Sequence, residues 1–186
     1  MRTAATLAAA VAALVLASST AAASSAPPNG LEAVVLLSAD RLDTAPLVAA
    51  AKWHTGDPVE APEREARVLA AVERRASELG TDPASAVAVT RDQMEANKVV
   101  QRGLHAQWYA QADRRPEQAP DLAGVRAELD RITPALVEAL AAAEEERTAP
   151  GCAARLARST DTTAAARGLD RLASAALSGA LESVCV

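Results

Sequence analysis

At 186 residues the chain is long enough for one domain, and with half of its residues hydrophobic it has the material for a core. Aromatic residues make up 2% and phenylalanine is absent, so that core must come from Ala, Leu and Val; this disfavours a sheet protein and favours closely packed helices. The net charge of −5 argues against a general nucleic-acid binder, while leaving room for a local cationic pocket.

Residues 1–26 have the layout of a secretory signal peptide. Arg2 gives a short positive start, Ala4 to Ala17 is apolar and uncharged, and Ala21-Ala22-Ala23 and Ser24-Ser25-Ala26 each offer a small-residue cleavage site. The apolar run is shorter than the roughly 20 residues of a membrane span. The expected product is a secreted or periplasmic domain, residues 27–186, with no membrane association after cleavage. In an oxidising compartment Cys152 and Cys185, the only two cysteines, are expected to join. A metal site is not expected, because His54 and His105 stand far apart and show no ligand spacing with the cysteines.

The first helix is predicted from Leu31 through Trp53, with Leu31, Val34, Val35, Leu42 and Val48 among its apolar positions and a kink or local break at Pro46. His54 to Pro62 reads as a loop. A second helix starts at Pro62-Glu63 and stops at Gly80. Asp82 and Pro83 then form the cap and first turn of a third, which runs to about Tyr109. Asp113 to Pro120 is a connector. Asp121 caps a fourth helix running to about Arg147, with a possible kink at Pro134. Pro150-Gly151 interrupts, a short helix covers Cys152 to Arg158, and Thr160-Asp161 caps the last. The expectation is an all-α, single-domain bundle of about six helices with a C-terminal disulfide.

A few polar residues fall where an amphipathic helix does not require them. Arg41 and Lys52 are eleven positions apart, close to three full turns, so on a continuous helix they share a face. Asn97 and Gln101 are four apart and also share one. Arg64 opens the second helix, and Arg126 follows the Asp121 cap. Each residue alone has an ordinary reading: a helical Arg or Lys is usually solvated, Glu65 is an acid favoured in a first turn, Asn97 and Gln101 are usually exposed, Trp53 packs, and His54 and His105 lie at the surface. No Ser-His-Asp set, phosphate loop or dinucleotide fingerprint is visible. On spacing alone the chain is a secreted helical domain.

The order of several runs adds a resemblance. Asp40-Arg41-Leu42, Val48-Ala49-Ala50-Ala51-Lys52-Trp53, Pro58-Val59 and Glu63-Arg64-Glu65 resemble the helical chorismate mutases, especially their secreted subclass with an export signal and a C-terminal disulfide. Asp92-Gln93 with Asn97 and Gln101 is similar to that family's third-helix active-site face. Pro120-Asp121-Leu122 with Arg126 is similar to the secreted members' added arginine region. The likeness extends from about residue 31 to the C-terminus.

This resemblance implies an enzyme that rearranges chorismate to prephenate with no cofactor or metal, acting as a homodimer. It implies that Arg41 and Arg126 bind the substrate's two carboxylates and that Lys52 and Gln101 share its ether oxygen. Glu65 would accept the ring hydroxyl, with Lys52 nearby. Arg64 would supply positive field, and Asn97, where a small hydroxyl residue is more usual, would offer a hydrogen bond to a carboxylate. Ala61 departs from the pattern, since many members carry an aspartate there that orients the ring hydroxyl. The alternative is an exported helical protein that binds a partner on a mutase scaffold without turnover. A weaker third reading, an unrelated disulfide-stapled bundle, would require an apolar interior at Lys52 and Glu65. Convergence of Arg41, Lys52, Arg64 and Arg126 on one cavity discriminates between the first two.

Overall fold

The computed structural model describes residues 30–186. The signal-peptide expectation therefore falls outside the described residues. These form helices α1 (Gly30–Asp43), α2 (Ala45–Thr55), α3 (Pro62–Leu79), α4 (Pro83–Ala110), α5 (Leu122–Ala142), α6 (Glu144–Thr148), α7 (Cys152–Ala166) and α8 (Arg171–Gly179), with a 3-10 turn at Ala112–Arg114. No strand occurs among them, and none of the helices is long and apolar enough to cross a membrane.

The caps read from sequence form. Asp82 accepts the N–H groups of Ala84 and Ser85 at the start of α4, and Asp121 those of Ala123 and Gly124 at the start of α5. Gly80 ends α3 in the left-handed region at φ 72°, where only glycine is unstrained, and its N–H reaches the Ala76 and Ser77 carbonyls. Three helix boundaries differ from expectation. The first predicted helix does break near Pro46, but at Thr44, because Pro46 sits in the first turn of α2 where its missing N–H costs nothing. The Thr44 hydroxyl donates to the Arg41 carbonyl at 2.7 Å, satisfying one end group of α1. The helix begun at Asp121 passes through Pro134 unbroken and stops at Ala142, leaving α6 as a separate short turn.

The third difference is at Thr160-Asp161, which caps nothing. Thr160 is buried and donates back to the Leu156 carbonyl at 2.8 Å, so α7 continues to Ala166. Asp170 caps the last helix instead, accepting from Ala173.

The core is the Ala/Leu/Val interior that the composition demanded. Leu31, Val34 and Val35 of α1 meet Leu136, Val137 and Leu140 of α5, Val89 and Val100 of α4, and Leu177 of α8, all buried. Buried alanines at 39, 45, 76, 86 and 143 let the helix axes approach closely. At Gly30 the approach is backbone to backbone: a Cβ there would lie 2.6 Å from the Ala143 Cα. α1 and α4 form the centre, α3 and α5 cover one side, and α7 and α8 close the other. The site described below lies on the first side.

The far side is tied by covalent and polar links. Cys152, at the head of α7, is joined to Cys185 with a Cα–Cα distance of 5.9 Å. The buried Arg147 guanidinium donates to the Val184 carbonyl (2.7 Å), Glu144 (3.1 Å) and the Ser85 hydroxyl, and the Arg147 carbonyl accepts the Val186 N–H. For cysteines 33 positions apart, removing the crosslink as Cys152→Ser with Cys185→Ser is expected to cost about 3–4 kcal/mol of stability. Urea unfolding measures that loss.

Candidate functional site

A cavity of about 360 Å³ opens between α1, α2, α3, α4 and α5, within the size range of small-molecule sites, roughly 300–1,000 Å³. Arg41, Lys52, Arg64, Glu65, Asn97, Gln101 and Arg126 all line it. They come from five helices, α1 through α5, and from sequence positions up to 85 apart. Val48, Val59, Val68, Met94, Leu122, Val125 and Leu129 supply its apolar wall.

Arg41 is the least ordinary member. Its residue is 7% exposed, yet among the described residues it has no carboxylate partner. One terminal nitrogen donates to the Thr133 hydroxyl at 3.0 Å, and its Nε is buried without an acceptor. Burial, followed by repulsion from Arg64, pushes the guanidinium pKa down to about 10, so it remains charged at neutral pH. A buried cation without a counter-ion costs several kcal/mol. The cavity thus holds a charge that an anion would neutralise.

Lys52 reaches the cavity near the last turn of α2, and its Nζ donates to the Val59 carbonyl. Burial lowers its pKa, with Glu60, Glu65 and Asp57 opposing that shift and Lys98 adding to it. The following residue anchors this turn. Trp53 meets Trp108 and Tyr109 edge-on, with ring centroids 5.6 and 4.7 Å away. The Arg115 guanidinium lies 5.8 Å from its ring, so Trp53 packs as expected. His105 is half-buried rather than at the surface: its Nε2 lies 2.8 Å from the Ala49 carbonyl, and its ring packs against Trp53. All three aromatic residues of the chain therefore gather beside Lys52.

On α4 the two amides are buried rather than exposed, with Asn97 9% and Gln101 3% accessible. Asn97 donates to the Arg41 carbonyl (3.2 Å) and the Thr44 hydroxyl (3.3 Å) and accepts from Gln101 Nε2 at 2.7 Å. Both of its amide hydrogens are thus used within the protein, and in this arrangement Asn97 orients Gln101 and the end of α1. One Gln101 amide hydrogen remains available, and its Oε1 is buried without a partner.

Arg64 and Arg126 line the cavity at the α3 and α5 walls, without a carboxylate partner among the described residues. Glu65 follows Arg64 on α3 and also lines the cavity. Burial would raise its pKa, but the Ala61 N–H, Lys98 and Lys52 outweigh this and hold the carboxyl below its ordinary value. Ala61 also lines the cavity and begins α3 with no side-chain cap.

Lys98 and Thr133 were not among the residues read from sequence. Lys98 lies three residues before Gln101, so helical spacing brings it to the same cavity, and its Nζ is 3.1 Å from Glu65 Oε2. Thr133 carried no signal, because its role comes only from α5 packing beside α1.

Chemically the cavity offers preformed N–H donors around an apolar pocket, with Glu65 beside them and Asp57, Glu60 and Asp130 also in its lining. Such a set binds a small polyanion and stabilises negative charge developing on it. Residues 32–102 match the family described as chorismate mutase type II. The chain is 35% identical over 155 residues to the secreted chorismate mutase of Mycolicibacterium smegmatis, covering 83% of this chain and 86% of that protein. It is 30% identical to the secreted chorismate mutase of Mycobacterium tuberculosis, over 83% and 78% of the two chains. Among solved structures, chorismate mutase from Burkholderia thailandensis superposes with a TM-score of 0.80 at 42% identity, over 84% of this chain and 99% of that one.

Proposed function

The chain belongs to the chorismate mutase family, and from that premise we propose that its α1–α5 cavity is the site where chorismate rearranges to prephenate. The observation that carries the reading is the convergence of Arg41, Lys52, Arg64 and Arg126, none ion-paired to a carboxylate among the described residues, on one cavity with Gln101 and Glu65. The partner-binding alternative had these cations facing bulk solvent.

The reaction is a concerted bond exchange within one dianionic molecule, so it calls for no nucleophile and no general base. The protein must hold the compact conformer in which the reacting carbons meet. It must also stabilise the charge that grows on the ether oxygen as the bond to the ring breaks. In this reading Arg41 and Arg126 hold the two carboxylates and Arg64 adds positive field. Lys52 Nζ and the available amide hydrogen of Gln101 donate to the ether oxygen from opposite sides. Glu65 accepts the ring hydroxyl's hydrogen bond. Asn97 acts by holding Gln101 and the Arg41 backbone rather than by donating to a carboxylate. Thr133 steadies the Arg41 guanidinium.

We also read the protein as exported, in keeping with the signal-like segment at 1–26 and with relatives named as secreted enzymes. A homodimer is proposed on the family resemblance alone, and light scattering of the purified protein tests it.

The direct test is loss of chorismate absorbance with purified mature protein, prephenate being identified by acid conversion to phenylpyruvate. Saturable turnover is the expected result; a folded, oxidised protein without turnover refutes the assignment. A second test concerns pH. Gln101 is neutral and has no proton to lose, and Arg41 stays protonated below about 10, so kcat/KM is expected to stay level from about pH 6 upward until the Lys52 ammonium, whose pKa burial lowers, gives up its proton. In Gln101→Glu the replacing group donates only when protonated, so kcat/KM should fall as pH rises through that range. Parallel profiles for the two proteins would remove Gln101 from the ether oxygen.

A further inference from the structure

Glu65 poses an electrostatic problem for the site. A dianion must settle beside a carboxylate, in a partly closed cavity where like charges repel more strongly than in water. The structure places an answer next to it. Lys98 projects from α4 into the same cavity, its side chain 10% exposed, with Nζ 3.1 Å from Glu65 Oε2. The same ammonium contacts Glu95, one turn earlier on α4 and on the solvent side. Glu95 in turn lies 3.6 Å from Arg102, which also reaches Glu60 at 3.6 Å. Burial would lower the Lys98 pKa, but hydrogen bonds to Glu95 and Glu65 outweigh it and hold the group charged.

The second Glu65 oxygen is held as well. Ala61 offers no oxygen to cap α3, and Glu65 Oε1 reaches back one turn to accept the Ala61 N–H at 3.1 Å. With one oxygen tied to the start of its own helix and the other to α4, the carboxylate cannot swing into the cavity or away from it. An exposed lysine–glutamate pair has little such effect, because both side chains move freely. Lys98 is nearly buried and gripped from two sides, so its position is determined.

Building on the reading of Glu65 as acceptor for the ring hydroxyl, we infer that Lys98 is a positioning residue for Glu65, fixing its carboxylate at the cavity wall and offsetting its charge so that a dianion can bind there. Without Lys98, Glu65 would repel the substrate it is meant to orient. The other cation whose charge lowers the Glu65 pKa is Lys52, which the ether oxygen requires.

A double-mutant cycle on chorismate turnover tests this, with kcat and KM measured separately for Glu65→Gln, Lys98→Met and the pair. In the native background Lys98→Met is expected to lower kcat/KM by up to about a hundredfold, with KM rising as the uncompensated carboxylate repels the substrate. In the Glu65→Gln background the same change should cost less than about threefold, because nothing is left to offset or hold. Lys98→Arg, which keeps the charge and a donor, should recover most of the activity. Equal losses in both backgrounds overturn the proposal and assign Lys98 to direct substrate contact or to folding. If Glu65→Gln alone leaves turnover untouched, the reading of Glu65 fails, and the role of Lys98 falls with it. Should Lys98→Met not fold, Lys98→Gln completes the cycle with a polar, uncharged side chain.

Discussion

Lys52→Ala is expected to lower kcat by about 10²–10³-fold, the usual cost of removing one donor from a developing oxyanion. KM should change less, because binding of the substrate's two carboxylates is assigned to Arg41 and Arg126. The size of the effect follows from the surroundings of the ammonium. Its turn of α2 is anchored by the Trp53 cluster, and its Nζ is held by the Val59 carbonyl, so the donor needs little reorganisation at the moment of reaction. Circular dichroism should report an intact fold, since Lys52 is absent from the buried core. Near-normal kcat in a folded Lys52→Ala protein would falsify its assignment to the ether oxygen.

Arg41→Met carries the second large effect, and its two consequences have opposite sign. The unliganded protein should gain about 1–3 kcal/mol of stability, because a nearly buried guanidinium without a counter-ion is replaced by an apolar side chain of similar length. Meanwhile kcat/KM should fall by about 10²–10³-fold through loss of a desolvated charge–charge contact with the substrate. Urea midpoints and steady-state kinetics on the same preparation read both. Loss of stability together with normal activity would make Arg41 an ordinary structural residue. The expected pattern marks a side chain whose burial is costly to the empty protein and useful only when an anion is bound.

The site was legible to different depths at different residues. Arg41, Lys52, Arg64 and Arg126 drew notice as cations that an amphipathic helix does not need, but spacing alone gave each a solvated reading. The eleven-residue relation of Arg41 to Lys52 assumed one continuous helix. The chain divides at Thr44, so the two meet at the cavity because α1 and α2 both pack against α4 and α5. Asn97 and Gln101 share a face as their spacing requires. That this face is buried, and that Asn97 gives both amide hydrogens to the protein, depends on where α1 ends. Lys98 went unread because a lysine amid helical polar residues is normally solvated, and its carboxylate partner lies 33 positions away on α3.

Helix starts and stops were readable because Asp82, Asp121 and Gly80 act on backbone groups within a few residues of themselves. The all-α class and the alanine-rich core followed from composition, since a chain without phenylalanine fills its interior by bringing helices close. Thr160 defeats the same local reasoning. A threonine hydroxyl serves a cap or an internal back-bond equally well, and burial against neighbouring helices selects the back-bond. The cavity is likewise a property of packing: its charge comes from residues that five helices carry to one place, and a cation's worth there depends on desolvation, which no single segment of chain contains.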